Sequence, residues 1–217
     1  MKLALFDLDN TLLSGDTDVE WLDFLVERGA APRDAARANE EMDRKYRSGD
    51  ASPLDYVRFY LSYYPPHDMA ALLAWREEFF KTKIKPLMLP AAQRLIASHR
   101  ADLVAIITAT NRFLTEPIAA AFGVEHLIAT EPQTRNGRFT GDIVGAPCMR
   151  EGKIEHLERW LAARGMKVAD FAESSFYSDS INDRPLLERV THPVAVDPDA
   201  RLAEIARLRG WRSLTLR

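Results

Sequence analysis

An apolar run near the start of the chain, Leu3–Phe6, leads directly into two carboxylates, Asp7 and Asp9. A short, continuous apolar run is typical of a strand that is buried on both faces of a parallel sheet. Because alternate residues of an extended chain point the same way, the two carboxylates repel each other unless a cation or a proton intervenes. The run therefore predicts a divalent metal site at the carboxyl end of a central strand, where open α/β sheets bind ligands. The alternative is that both are turn carboxylates that cap a helix.

Strands and helices alternate through the later part of the chain. Short apolar runs predict further strands at 103–108, 127–129, 175–178 and 194–196. Asn136-Gly137 predicts a hairpin over 133–142, because these residues suit a tight turn between antiparallel strands. The alternation predicts an α/β fold with a doubly wound parallel sheet, which the first strand joins.

The intervening residues 16–84 carry helical patterns and no strand pattern. Start signals for four helices lie at Asp16 or Thr17, at Pro32, at the capping-box form Ser52-Pro53-Leu54-Asp55, and at Asp68. We therefore predict two units. Residues 1–15 and 85–217 would form a catalytic core, and residues 16–84 an inserted helical-bundle cap.

Composition narrows the class of protein and its partners. Of 217 residues, 47% are hydrophobic and 28% are charged, which is ordinary for a soluble globular protein. The net charge of −3 gives no reason to expect nucleic acid as a partner. No apolar stretch reaches the roughly 18 residues of a membrane-spanning helix, so no membrane partner is expected. The single cysteine, Cys148, suits a reducing compartment, and we expect a cytoplasmic monomer or homodimer.

Three further polar motifs follow predicted strands or open predicted helices. Thr108 and Ala109 end the second buried strand just before a helix start, where backbone amides bind anions. Lys153 opens a helix, which is the wrong end for a cation unless an anion lies beside it. Asp179 and Asp183 follow another strand. Each motif alone has a simpler explanation, namely a capping threonine, an exposed lysine or a capping aspartate.

These motifs all fall on one edge of the predicted sheet, because parallel strands end on the same side. Hydroxyl, ammonium and paired carboxylate groups at one edge are suited to bind a phosphate group together with Mg²⁺, which prefers hard oxygen ligands.

The order of motifs, with helices inserted after the first and a hairpin before the lysine, resembles the haloacid dehalogenase superfamily. The resemblance covers essentially the whole chain and is to the phosphatase branch related to phosphoserine phosphatase. It implies a Mg²⁺-dependent phosphomonoesterase that forms an aspartyl-phosphate. The implied roles are Asp7 as nucleophile; Asp9 as general acid and base; Thr108, Ala109 and Lys153 as phosphate-binding residues, with Lys153 also catalytic; Asp7, Asp9, Asp179 and Asp183 as metal ligands; and Thr11 and Asn182 as orienting residues.

Two residues of the insertion bear on the substrate. Asp16 occupies, by its spacing from Asp7, the place where phosphoserine phosphatases carry an amine-binding glutamate, and Arg58 lies near their carboxylate-binding arginine. The resemblance implies a small amine-bearing phosphomonoester, such as phosphoserine or histidinol phosphate. The insertion is rich in aromatic residues, which would favour a ring-bearing substrate. The alternative is that Asp16 only caps a helix and that Arg58 is solvated.

Two other functions share parts of this pattern. A response-regulator receiver, a non-enzymatic phospho-acceptor, also has a doubly wound sheet and a phosphorylated aspartate, but the long helical insertion disfavours it. A phosphomutase or phosphotransferase of the same superfamily would pass the phosphoryl group to a sugar instead of water.

Overall fold

The computed structural model describes residues 1–217, and six of its strands form one parallel sheet. The strands along the chain are β1 (Lys2–Phe6), β2 (Leu103–Asn111), β3 (His126–Thr130), β4 (Pro132–Arg135), β5 (Arg138–Ile143), β6 (Glu173–Ser178), β7 (His192–Val196) and β8 (Arg212–Leu214). The order in the sheet is β3-β2-β1-β6-β7-β8, and every neighbouring pair is parallel. Strands β4 and β5 form a separate antiparallel hairpin.

The α-helices follow in chain order. They are α1 (Thr17–Glu27), α2 (Ala35–Ser48), α3 (Pro53–Leu61), α4 (Met69–Phe79), α5 (Lys85–Leu87), α6 (Pro90–Ser98), α7 (Arg112–Ala121), α8 (Glu151–Ala162), α9 (Arg184–Leu187) and α10 (Ala200–Arg209). A π-helical segment, Phe80–Ile84, joins α4 to α5, and 3-10 turns lie at Val168–Asp170 and Ile181–Asp183. None of the helices combines the length and the hydropathy needed to cross a membrane.

Strand β1 lies in the middle of the sheet, and its side chains enter two hydrophobic clusters. Ala4 and Phe6 belong to a cluster shared with the inserted helices, whereas Leu3 and Leu5 belong to one shared with α8, α9 and α10. Since both faces are covered, none of the four is more than 1% exposed. This explains the continuous apolar run and confirms the doubly wound α/β sheet. The carboxyl end of β1 is thereby a well-packed support for Asp7.

The helices between β1 and β2 pack against the sheet's own helices through aromatic side chains. Trp21 of α1 lies edge-on to Phe113 of α7, with ring centroids 6.4 Å apart. Tyr64, which follows α3, lies edge-on to Phe113 and to Phe139 of the hairpin, at 5.7 and 5.2 Å. All of these rings share one hydrophobic cluster with Phe6. The insertion is therefore held on this face of the sheet by favourable aromatic contacts.

Several local signals of the sequence are confirmed. Ser52 and Asp55 form the expected capping box, with Ser52 Oγ accepting from the Asp55 amide at 3.1 Å. Asp68 caps α4 by accepting from the Ala71 amide. Asn136 and Gly137 have φ values of 52° and 73°, the left-handed backbone that a two-residue hairpin turn requires.

Some element ends differ from the predicted ones. The second inserted helix begins at Ala35 instead of Pro32. The pair Asp197-Pro198 predicts the start of a last helix, but that helix begins at Ala200, because Asp199 accepts from the first helical amides and acts as its N-cap. Strand β8 was not predicted, since three residues that lie mostly at the surface leave no apolar pattern.

Candidate active site

A cavity of about 530 Å³ lies at the carboxyl ends of β1, β2 and β6. It is lined by every residue predicted for the site except Thr11 and Arg58. The four motifs that are distant in sequence therefore meet at one edge of the sheet. A second cavity, of about 600 Å³, lies beside β6, β7 and β8 among Tyr177, His192, Arg209 and Trp211, and holds none of the predicted site residues.

Lys153 is the buried cation at the centre of the site. Its Nζ donates to Asp7 Oδ1 at 2.6 Å and to Asp183 Oδ2 at 2.7 Å, and the residue is 3% exposed. Ser178 Oγ also donates to Asp183 Oδ2, at 2.6 Å. Burial lowers the pKa of Lys153, but the two carboxylates outweigh it and hold that pKa above its usual value. The ammonium group therefore stays charged and orders both acids.

Asp7 is buried beside this ammonium. Burial raises the pKa of Asp7 to about 7, although Lys153 acts in the opposite direction. The charge of Asp183 raises this pKa further. Asp7 is therefore a carboxylate with little water around it, and its ionised form depends on nearby cations.

Asp9 is fixed by hydroxyl and amide donors from two different elements. Its Oδ1 accepts from the backbone amide of Thr17 at 2.8 Å and also from the Thr17 hydroxyl. Its Oδ2 accepts from Thr110 Oγ1 at 2.8 Å, with Thr108 Oγ1 at 3.5 Å. Burial raises the pKa of Asp9 to about 6, the Asp16 charge adds to the rise, and these donors limit it. Asp9 thus links the inserted helix α1 to strand β2.

Thr17 and Thr110 were not among the predicted site residues. Thr17 is the first residue of α1, and Thr110 lies two residues beyond Thr108 on β2. The sequence shows both as hydroxyl residues beside predicted motifs. Nothing in the spacing indicated that both would converge on Asp9.

Thr11 is fully buried and lies behind the cavity wall. Its Oγ1 is 3.3 Å from Asp7 Oδ2 and 3.0 Å from Asp179 Oδ1, and it accepts from the Asp179 amide at 3.0 Å. A hydroxyl carries one proton, so it donates to one carboxylate at a time. Burial raises the pKa of Asp179 to about 8, and the charges of Asp7 and Asp183 add to this rise. Asp7 and Asp179 are therefore neighbouring acids on either side of the Thr11 hydroxyl.

These acids determine how a metal ion could be held. No three His, Cys, Asp or Glu side chains are arranged as they stand to hold a metal. All four predicted ligands already have hydrogen-bond partners: Asp9 is engaged by Thr17 and Thr110, Asp183 by Lys153 and Ser178, Asp7 by Lys153, and Asp179 by Thr11.

Asp7 and Asp179 are neighbours, because Thr11 Oγ1 lies within 3.3 Å of both carboxylates, and both acids line the cavity. Mg²⁺ usually binds one or two carboxylates and keeps several waters. Two neighbouring carboxylates whose pKa values are raised fit such an ion.

Thr108 lines the cavity and is 1% exposed. Its Oγ1 accepts from the Thr110 amide at 3.2 Å, so that amide is not free for an anion. Asn111 caps α7 by accepting from the Leu114 amide. Thr108 and Ala109 therefore line the cavity, as predicted, but some of the backbone amides expected to bind an anion already have partners.

Arg58 lies outside the cavity. It donates to Asp142 of β5 through Nε at 3.0 Å and through Nη2 at 2.8 Å, and its side chain is 47% exposed. This bidentate pair joins α3 to the hairpin. The structure therefore does not bring Arg58 to the place predicted for a substrate carboxylate.

Asp16 lines the cavity and also caps α1. Its Oδ1 accepts from the amides of Asp18 and Val19 at 3.0 and 3.1 Å. Burial raises the pKa of Asp16, while these two amides lower it. The capping alternative is confirmed for one oxygen of Asp16.

Arg150 is a further residue of the cavity that the sequence did not single out. Its φ of 50° is rare for a residue with a side chain. Its guanidinium lies 4.5 Å from the ring centroid of Tyr46, and its Nε donates to Asn182 Oδ1 at 3.3 Å. Arg150 thus joins α2 of the insertion to the loop that follows β6. Backbone strain cannot be read from an arginine in a sequence.

Comparison with known proteins agrees with this geometry. The family model of haloacid dehalogenase-like hydrolases matches residues 4–188. A histidinol-phosphatase from Neisseria meningitidis is 37% identical over 100% of this chain and 99% of its own length. Phosphoserine phosphatase SerB1 from Mycobacterium tuberculosis is 33% identical over 96% of this chain and 68% of its own length.

A solved structure of a protein of unknown function from Bordetella pertussis superposes with a TM-score of 0.95. It is 48% identical, over 100% of this chain and 99% of that one. The predicted resemblance is confirmed. The chain belongs to the haloacid dehalogenase-like hydrolases and is a phosphatase-like member of that family.

Proposed function

We propose that this enzyme hydrolyses a small phosphomonoester with Mg²⁺ and through an aspartyl-phosphate on Asp7. The observation that carries the proposal is the buried Lys153, held between Asp7 and Asp183, with Asp9 fixed on the same cavity wall. Bound Mg²⁺ would neutralise the crowded carboxylates and the phosphate oxygens. The remaining chemistry belongs to residues of this chain.

Asp7 supplies the nucleophile. A bond forms between its carboxylate oxygen and phosphorus as the bond to the leaving alcohol breaks. Lys153 favours the ionised form of Asp7 and, with the Thr108 hydroxyl, faces the negative charge on the phosphoryl oxygens. Such fixed charges and donors account for most of the catalysis of phosphoryl transfer.

Asp9 moves the protons. It gives a proton to the departing alkoxide and then takes one from the water that attacks phosphorus, which releases phosphate and free Asp7. A pKa of about 6 suits a group that must act as acid and as base near neutral pH. General acid–base catalysis of this kind is typically worth about 10²- to 10⁴-fold in rate.

We further propose that residues 16–84 act as a cap over residues 1–15 and 85–217. The hydrogen bonds from Thr17 to Asp9 support this assignment, because they make the position of the acid–base group depend on where α1 lies. A closed cap would exclude water from the aspartyl-phosphate and select the substrate.

The substrate that we propose is a small phosphomonoester with an amine on its alcohol portion, with histidinol phosphate favoured over phosphoserine. Two of the relatives named above act, by their names, on histidinol phosphate and on phosphoserine. Asp16 on the cavity wall supports an amine. Because Arg58 is bound to Asp142, the carboxylate of phosphoserine lacks its predicted partner.

Two alternatives differ in the fate of the phosphoryl group. Two observations favour an enzyme with multiple turnovers over a receiver domain that stores the phosphoryl group. The chain belongs to a hydrolase family, and Asp9 lies beside Asp7. A phosphotransferase would share the same intermediate and would transfer its phosphoryl group to an alcohol.

We propose that the enzyme is cytoplasmic, because its single cysteine suits a reducing compartment and its cavity has the size of a metabolite.

The test is phosphate release from p-nitrophenyl phosphate and from a panel of phosphorylated amino acids, amino alcohols, sugars and nucleotides, with Mg²⁺ and with EDTA. We expect multiple turnovers only with Mg²⁺ and the highest kcat/KM on an amine-bearing substrate. Turnover that persists in EDTA would overturn the metal requirement, and a phosphorylated sugar as product would identify a phosphotransferase.

A further inference from the structure

The loop between β6 and α9 carries Asp179 and Asp183, two of the predicted metal ligands. Its second half is held from within, because the side chain of Ser180 caps the 3-10 turn Ile181–Asp183. Its first half is held by residues that lie outside the loop. The position of Asp179 beside Asp7 therefore depends on those outside partners.

Asp199 is one of these partners. Its backbone amide donates to the Asp179 carbonyl at 2.8 Å, and its Oδ2 accepts from the Ile181 amide at 2.7 Å. The two bonds hold the residues before and after Ser180. Thr11 is the second partner, since its Oγ1 accepts from the Asp179 amide at 3.0 Å. The Asp179 backbone is thus held between a residue that follows β1 and a residue that follows β7.

Asp199 is itself fixed at the start of α10. Its Oδ1 accepts from the amides of Arg201 and Leu202, each at 2.8 Å. The turn that leads to it contains Asp197, whose φ is 41° and whose amide donates to the Leu214 carbonyl at 3.0 Å. A rarely populated backbone conformation persists only where its surroundings hold it, and such residues cluster at functional sites.

Both carboxylate oxygens of Asp199 have partners within the protein, so neither is free to bind a cation. Any effect of Asp199 on a metal ion must pass through Asp179, whose carboxylate lies with that of Asp7 around the Thr11 hydroxyl. Two like charges repel each other, so Asp179 must be held in place before the ion arrives. Hydrogen-bonding partners of a metal ligand typically contribute about 10- to 100-fold to metal affinity.

We propose that Asp199 is a positioning residue for Mg²⁺, because its bonds to the Asp179 carbonyl and the Ile181 amide hold the Asp179 carboxylate where the ion binds. This inference rests on the proposed Mg²⁺-dependent activity and extends the metal site to the start of α10. The hydrogen bonds of the Asp199 side chain do not reach Asp9 or Lys153. Loss of the side chain should therefore weaken the binding of Mg²⁺ and leave the chemical step intact.

The experiment titrates MgCl₂ into the metal-free protein without substrate, by isothermal calorimetry at pH 8. Asp199→Asn is the decisive variant, because asparagine caps a helix as well as aspartate does but has a single oxygen. It keeps the α10 cap and loses the bond from the Ile181 amide. We expect its Kd for Mg²⁺ to rise about 10- to 100-fold, with kcat at saturating Mg²⁺ close to that of the wild type.

The matched control is Asp68→Asn, which alters a capping aspartate outside the cavity and should leave the Kd for Mg²⁺ unchanged. Asp199→Ala also loses the α10 cap, so it should show the same rise in Kd together with a lower free energy of unfolding.

The outcomes separate the two proposals. A wild-type protein that binds no Mg²⁺ would refute the metal requirement of the proposed function and the role of Asp199 together. If the wild type binds Mg²⁺, an unchanged Kd in Asp199→Asn, or an equal rise in Asp68→Asn, would refute the role of Asp199 alone. A loss of kcat that saturating Mg²⁺ does not restore would also contradict it. If Asp199→Asn does not fold, Asp199 is a structural residue and the proposal is wrong.

Discussion

The Nζ atom of Lys153 lies 2.6 Å from Oδ1 of Asp7, although the two residues are 146 positions apart in the chain. The contact joins the first residue of α8 that faces inward to the carboxyl end of β1. It buries a cation and an anion side by side, and a second acid, Asp183, completes the group. This arrangement gives the first prediction.

Lys153→Met should abolish phosphatase activity and destabilise the fold. The change leaves Asp7 and Asp183 buried without their cation, and breaking a buried ion pair costs about 3–5 kcal/mol. Chemical denaturation would measure the free energy of unfolding. Lys167→Met, at an exposed lysine, is the control. The double variant Lys153→Met/Asp183→Asn should recover part of the stability and no activity; full stability in the single variant would contradict the ion-pair account.

Mg²⁺ should stabilise the protein more at pH 8 than at pH 5.5. The pKa values of Asp7, Asp9 and Asp179 in the folded protein are raised to about 7, about 6 and about 8. Acids with a raised pKa bind more protons in the folded state than in the unfolded state. Their contribution to stability is therefore largest at low pH and is lost as the pH rises from about 4 to about 8. The Tm of the metal-free protein should fall over this range above pH 5, where these acids titrate.

The measurement is Tm against pH in EDTA and in Mg²⁺. Asp179→Asn, which removes one of the two proposed ligands, should flatten the metal-free slope and remove most of the Mg²⁺ effect. A Mg²⁺-induced shift of equal size at both pH values would show that these carboxylates do not bind the ion.

Thr17→Val should move the acidic limb of the pH–rate profile to higher pH. The Thr17 hydroxyl bonds to Asp9 and holds the pKa of that acid down, so its loss should raise that pKa while the similar shape of valine preserves the packing. We expect a loss of several-fold in kcat near pH 6 that recovers at higher pH. Thr82→Val, on the surface, should leave the profile where it is. A uniform loss at every pH would indicate a packing defect instead.

Arg58→Ala should leave substrate selection unchanged. Arg58 pairs with Asp142 at the surface, and an exposed pair of this kind is worth at most about 1 kcal/mol. We expect kcat/KM for phosphoserine and for histidinol phosphate to change by less than about twofold. A selective loss of kcat/KM with phosphoserine would show that Arg58 binds the substrate. A double-mutant cycle with Asp142→Ala would measure the interaction energy of the surface pair.

The sequence was sufficient for five of the six strands of the sheet and for the placement of the polar motifs at its carboxyl edge, because each signal there is local. The apolar run before Asp7 identifies a buried strand, and Thr108, Lys153 and Asp179 each follow a strand or open a helix. Parallel strands then bring these residues to one edge without any knowledge of side-chain contacts.

The partners of the carboxylates could not be predicted in the same way. Whether Asp9 is bonded to Thr17, or Arg58 to Asp142, depends on how the inserted helices pack on the core, which no local spacing encodes. The same packing leaves one oxygen of Asp18 without a partner. Long-range packing therefore determines which of several similar acids caps a helix and which remains free.

The most direct test of the central claim is to quench the enzyme in acid during turnover with Mg²⁺ and identify the phosphorylated residue by mass spectrometry of its peptides. The account predicts a phosphoryl group on Asp7 and none in Asp7→Asn, a variant that should fold and have no turnover. Phosphate release by Asp7→Asn at the wild-type rate, or a phosphoryl group on another residue, would contradict it.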